Sequence, residues 1–244
     1  MATVKGDNYI SDESNVTIGK DVVFSTAPKI SGTSESNFYK VLDHSSSMQL
    51  RLMPYSQEGG GQRVVFNLEW PQYTLLCDAA KTALTFNIGT WDLAEKIDGA
   101  GRKELQRVFG NPVAPNILMQ KMPGRFTSIE AATGLCPARI LECRRTPIRS
   151  DGQVSRYPWY IRIANGYARK LQNASTGGAY MDRKSFVEES SCKINISDAQ
   201  MYQHTFWDVK LMDVAIQAMG PYVMERHRQF IMQKNQWKAA NGQR

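Results

Sequence analysis

Between Arg139 and Lys170 the chain carries eight basic residues against two acidic ones, Glu142 and Asp151. Arg144, Arg145, Arg156 and Arg162 stand there beside Tyr157, Trp159 and Tyr160. Guanidinium groups interleaved with aromatic rings suit single-stranded nucleic acid, whose unpaired bases need planes to stack on and whose phosphates need a cationic path. Stacking contributes about 1 to 3 kcal/mol per base and an exposed ion pair less than about 1 kcal/mol, so the tyrosines should matter most individually.

Other chemistries find less support. His44, His204 and His227 are the only histidines, and no catalytic motif frames any of them. Gly99, Gly101 and Lys103 suggest a phosphate loop, but the GxxxxGK[ST] pattern is absent. Glu188 with Glu189, and Asp208 with Asp213, have no partner histidine or metal-ligand spacing and read as solvated carboxylates. Cys77, Cys136, Cys143 and Cys192 are scattered without a CxxC pair, which suits reduced, buried thiols. The expectation is therefore a binding protein, not an enzyme, with no cofactor and no metal.

These side chains need elements to position them, and the hydrophobic period supplies the reading. Residues 1–36 are rich in Ser, Thr, Asn and Asp and read as a flexible arm holding at most one strand, Val16 to Phe24. Met48, Leu50 and Leu52 alternate with Gln49, Arg51 and Met53, as in a half-buried strand. Gly59, Gly60 and Gly61 supply a turn, after which Val64, Phe66 and Leu68 alternate with Arg63, Val65 and Asn67. From Pro71 the spacing becomes helical through Leu75, Leu76, Ala79, Ala80 and Ala83. Residues 87–123 are punctuated by glycine and proline and read mainly as connecting structure.

The grammar then repeats. Ala138 to Arg145 and Tyr157 to Ala164 alternate around a turn at Ser150 to Gly152, and Lys193 to Ile196 reads as a short strand. Ser197 or Asp198 caps a helix with an expected apolar stripe of Trp207, Leu211, Val214 and Ala218. Gly220 and Pro221 should break it before an amphipathic extension, Tyr222 to Lys238. Alternation puts Trp159, Ile161 and Ile163 in the core. Tyr160 and Arg162 then fall on the opposite face, as Arg51, Arg63, Asn67, Lys193 and Asn195 do on their own strands.

Net charge is +7, distributed as −2 over residues 1–47, +1 over 48–136 and +8 over 137–244. A basic second half attracts polyanions. No apolar run approaches the roughly 20 residues of a membrane span, and Met1 to Thr17 has neither a signal-peptide core nor the look of a transit peptide. An intracellular protein, in cytoplasm or nucleoid and without a membrane partner, is expected.

The stretches SNFYKVLDHSSSMQLRLMPYSQEGGGQRVVFNLEWPQYTLL, CPARILECRRTPIRSDGQVSRYPWYIRI and DVAIQAMGPYVMERH follow an order of strand, turn and helix. In that order the chain resembles the Whirly family of single-stranded DNA-binding proteins, from roughly Phe38 to His227. Related folds include the PC4-like cofactors and the kinetoplast guide-RNA-binding proteins. The plant Whirly motif Lys-Gly-Lys-Ala-Ala-Leu has only a degraded counterpart in Ile18 to Val23, which includes Lys20. The resemblance implies an α+β fold with a duplicated strand-rich unit: two antiparallel sheets, each followed by a helix, plus a C-terminal helical extension. It implies an arm over 1–36, a folded unit over 37–221 in two ββββα halves (about 37–110 and 111–221) and a helical tail over 222–244. It also implies a homo-oligomer, a tetramer, holding single-stranded DNA or RNA. The expected binding residues are Tyr160, Arg162, Tyr157, Arg156, Arg144, Arg145, Arg51, Arg63, Lys193 and Lys20. A relative in a virus or mobile element fits this reading, and its alternative is a virion or scaffold protein on the same fold.

Overall fold

The computed structural model describes residues 3–5, 8–10, 15–31, 46–55, 63–88, 104–126 and 134–241. His44, the turn at Gly59 to Gly61, and Gly99, Gly101 and Lys103 lie outside the described residues.

The first sheet is antiparallel and six-stranded: β1 (Thr3–Lys5), β2 (Asn8–Ile10), β3 (Asn15–Ile18), β4 (Val22–Ser31), β5 (Ser46–Pro54) and β6 (Val64–Glu69). The helix α1 (Trp70–Phe86) follows directly, with Pro71 in its first turn and Asn87 closing it at φ 51°. After β7 (Glu104–Val108) and the short helix α2 (Pro115–Lys121) come β8 (Leu135–Arg145), β9 (Trp159–Gln172), β10 (Ala179–Met181) and β11 (Val187–Ile196). The second sheet runs β10-β9-β8-β7, with β11 also paired to β9, and α3 (Asp198–Asn241) ends the described chain. The fold is thus α+β, with two antiparallel sheets each followed by a helix and a helical extension at the end.

Alternation explains the core. Met48, Leu50 and Leu52 of β5 and Val64, Phe66 and Leu68 of β6 face Leu141, Cys143, Trp159, Ile161, Ile163, Ile194 and Ile196 of the second sheet. Tyr73, Leu76, Ala80 and Ala83 of α1 and Met201 and Met212 of α3 complete this cluster. A satellite cluster joins Leu118 and Met122 to Leu135 and Tyr167.

Several expectations are corrected. The region read as an arm supplies β4, an interior strand of the first sheet, paired along its length with β5. It was only partly legible because Thr26, on the inward side beyond Phe24, is polar. Thr26 Oγ1 donates to Asp208 Oδ1 at 2.8 Å and lies 3.0 Å from His204 Nδ1, while Thr17 Oγ1 lies 2.9 Å from His204 Nε2. Having given its proton to Asp208, the Thr26 hydroxyl accepts from Nδ1–H, and Nε2 then accepts from Thr17. Tyr73 completes the set by donating to Asp208 Oδ2, and burial, with Asp208 beside it, pushes the phenol well above its ordinary pKa. Asp208, expected in solvent, is fully buried.

The same network sets the face of α3. It buries Met201, His204, Thr205, Asp208 and Met212, leaving Trp207 and Val214 of the expected stripe exposed. Ser197 and Gln200 form a capping box, Gln200 N–H donating to Ser197 Oγ at 3.2 Å and Ser197 N–H to Gln200 Oε1 at 2.8 Å. The expected break is absent. One helix of 44 residues, about 66 Å long at 1.5 Å per residue, runs through Pro221. Pro221 lies on its exposed part, where water can satisfy the carbonyl left without a donor. Leu75 of α1 is exposed, and residues 87–123 contain β7 and α2 rather than connections alone. β7, which the sequence reading put in the first half (about 37–110), pairs with β8 of the second sheet.

Candidate nucleic-acid interface

Register decides which expected residues meet. Across the outward face of the second sheet, Arg144, Tyr160 and Asn195 form one row and Glu142, Arg162 and Lys193 the next. The Arg144 guanidinium lies 5.7 Å from the centre of the Tyr160 ring. Burial raises the Tyr160 phenol above its ordinary pKa, with the Glu142 charge adding to it.

The arginines of this face are largely neutralised. Arg162 pairs with Glu142 at 2.9 Å and with Glu188, Arg144 pairs with Glu142, and Arg183 pairs with Glu104 at 2.8 Å. Three arginines therefore meet three carboxylates. Burial opposes ionisation of Glu142, but hydrogen bonds from Arg144 and Arg162 outweigh it and hold the carboxyl below its usual range. Sequence reasoning missed this balance because Glu142, Glu188 and Glu104 come from three different strands.

Arg145 belongs elsewhere, which corrects the expectation that it joins Arg144. Successive residues of a strand point to opposite faces, and Arg145 is only 4% exposed on the core side. It donates through Nη2 to Asp198 Oδ2 at 3.0 Å and through Nη1 to the Ile88 carbonyl at 3.0 Å. It ties β8 to α3 and to the end of α1.

Arg51 and Arg63 lie on the outward face of the first sheet, and both donate to Gln49 Oε1, at 2.7 and 3.3 Å. Gln49 Nε2 in turn donates to Asn67 Oδ1 at 3.0 Å. Burial, and repulsion from Arg63, lower the Arg51 pKa. These cations share an amide rather than a carboxylate.

Four expected residues converge. A groove of about 540 Å³ is lined by Ile18, Lys20, Tyr157, Tyr160, Lys193 and Asn195, where the β3–β4 turn meets the end of β11. A Cβ on Gly19 would come within 2.9 Å of Ile194 Cδ1, so the turn packs closely on the strand and a larger residue there would displace the Ile194 side chain. Tyr55, another residue the sequence reading missed, braces the turn by donating to the Gly19 carbonyl and to the Lys20 carbonyl at 2.7 Å. Tyr157 is 48% exposed, with the Arg156 guanidinium 5.5 Å from its ring centre. Lys20 and Lys193 are exposed, and no carboxylate among the described residues pairs with either. The groove thus offers two phenol rings and two unpaired ammonium groups side by side, a geometry that can stack bases and hold phosphates.

Burial pushes the Cys77 and Cys143 thiols up to about 12, far from the thiolate. Among the described residues no group of three metal-ligating side chains converges, and no helix is long and apolar enough to cross a membrane.

The fold and groove define an α+β protein of two antiparallel sheets with a basic, aromatic groove at their junction. In comparisons with known proteins, no family model matches the chain and no curated protein matches it.

Proposed function

We propose that the protein binds single-stranded nucleic acid with little sequence preference, DNA foremost and RNA as the alternative, and that it acts as a binding protein rather than an enzyme. The groove carries this reading, because Tyr157 and Tyr160 lie beside the unpaired Lys20 and Lys193. Rings stack on any base and ammonium groups follow any phosphate backbone, so such a site is tolerant of sequence. The Whirly-like order of strand, turn and helix supports the same reading, with a tetramer as the implied assembly. Fluorescence anisotropy against single-stranded DNA, single-stranded RNA and duplex tests it. Single strands should bind more tightly than duplex, with an affinity that falls as salt rises.

One observation favours a second reading, a scaffold or virion component. Tyr202, Phe206 and Trp207 are exposed on α3 and pack on one another, with ring centres 5.8 and 5.4 Å apart. Exposed aromatic patches mark association surfaces. Absence of single-strand binding at low salt would favour this reading.

A further inference from the structure

A second cleft, of about 480 Å³, opens on the core-side face of the second sheet and is lined by Phe109, Arg139, Asn165, Tyr167 and Glu189. It occupies a polar row, Arg107, Arg139, Asn165 and Ser190, whose members are register partners across β7, β8, β9 and β11. On one side lies the main core and on the other the satellite cluster that holds Tyr167. The groove is distant: Tyr160 and Asn165 are five residues apart on β9, roughly 17 Å at strand rise, and face opposite ways.

Two features of this cleft have no internal explanation. Arg139 is half-buried against the Phe109 ring, 5.1 Å from its centre, and no described carboxylate pairs with it. Burial lowers the pKa of this cation. The only described buried side-chain polar atoms without a hydrogen-bond partner are Asn165 Oδ1 and Ser190 Oγ, from register partners in this row. A desolvated cation without an anion and buried polar atoms without a partner each cost free energy that a ligand carrying both groups would recover.

We propose that this cleft is a nucleotide pocket, taking a single phosphate against Arg139 and a base whose amino group donates to Asn165. The volume falls within the roughly 300 to 1,000 Å³ of small-molecule sites. Glu189 lines the cleft without pairing with Arg139. Its charge disfavours di- and triphosphates and offers a second acceptor to a base amino group. The inference does not depend on single-strand binding at the groove. The ligand is either a free nucleoside monophosphate or the phosphorylated end of a strand.

Calorimetry on the full chain with cytidine monophosphate, cytidine and inorganic phosphate at matched ionic strength tests the pocket. The monophosphate should bind with a stoichiometry of one and more tightly than either fragment. Asn165→Asp places a carboxylate in register with Arg139. It should lower that affinity by more than about tenfold through charge pairing while leaving the melting temperature unchanged or higher, whereas Tyr160→Ala should leave the affinity alone. Competition by an oligonucleotide with a 5′-phosphate assigns the site to strand ends, and lack of competition assigns it to free nucleotides. Monophosphate binding no tighter than phosphate alone, or unaffected by Asn165→Asp, overturns the proposal. Loss of strand binding in Tyr160→Ala with monophosphate binding intact separates the two sites.

Discussion

Trp159 and Tyr160, neighbours on β9, face opposite sides of one sheet: Trp159 is fully buried and donates its indole N–H to Asp198 Oδ1 at 2.7 Å, while Tyr160 lies outward beneath Arg144. The two substitutions should therefore separate stability from binding. Trp159→Ala should cost about 3 to 5 kcal/mol of stability through the cavity it leaves. Tyr160→Ala should weaken single-strand binding by roughly 1 to 3 kcal/mol with little change in melting temperature. Thermal melts beside anisotropy titrations check this, and Tyr160→Ala with unchanged affinity removes Tyr160 from the site.

Glu142 competes with a strand for its own arginines. Glu142→Gln frees Arg144 and leaves Arg162 with Glu188 alone. We expect a less stable protein that binds single strands more tightly, with a salt slope steeper by the equivalent of about one phosphate. Weaker binding would mean that the ion-paired cluster supports Tyr160 rather than withholding charge.

Acid should weaken the fold in a defined window. Hydrogen bonding from Arg145, opposed by burial and helped by Trp159, holds the Asp198 carboxyl below its usual range, and Glu142 is held low as well. A carboxyl whose folded pKa is depressed contributes stability that is full above its unfolded pKa and is lost as pH falls through the folded value. Melting temperature should thus drop below about pH 4. Asp198→Asn should be less stable than the parent at neutral pH, and the gap should close on acidification. A gap that widens in acid contradicts the assignment.

How far the sequence showed all this depended on whether one side of an element was apolar. Met48, Leu50 and Leu52 against Gln49 and Arg51, and Trp159 and Ile161 against Tyr160 and Arg162, gave strands whose faces the structure reproduces. β4 hid because Thr26 is buried through hydrogen bonds to His204 and Asp208, and period-two reading counts threonine as polar. α3 was misread for the same reason, its buried His204 and Asp208 passing for a solvated side. Arg145 carried a usable signal, since alternation alone separates it from Arg144. The groove's four residues were individually legible, but their convergence was not, because Lys20 in the β3–β4 turn and Lys193 on β11 meet only through tertiary packing.

Self-association should map to α3. Its exposed Tyr202, Phe206 and Trp207, and farther along Met232, give a second copy of the chain an apolar face. Light scattering at tens of micromolar, a range where ordinary specific complexes form, should show an oligomer in the intact protein. Trp207→Ser should reduce its mass without unfolding it, and a monomeric parent refutes the expectation.

The most direct test of single-strand binding at the groove is a salt titration of the Lys20→Ala, Lys193→Ala double variant against one oligonucleotide, single-stranded and in duplex form. The parent should prefer the single strand. The double variant should bind it more weakly, with an unchanged melting temperature and a log–log salt slope smaller by about 0.7 for each phosphate that no longer meets a lysine. Duplex binding equal to or tighter than single-strand binding, or a double variant with the parent's slope and affinity, would contradict the account.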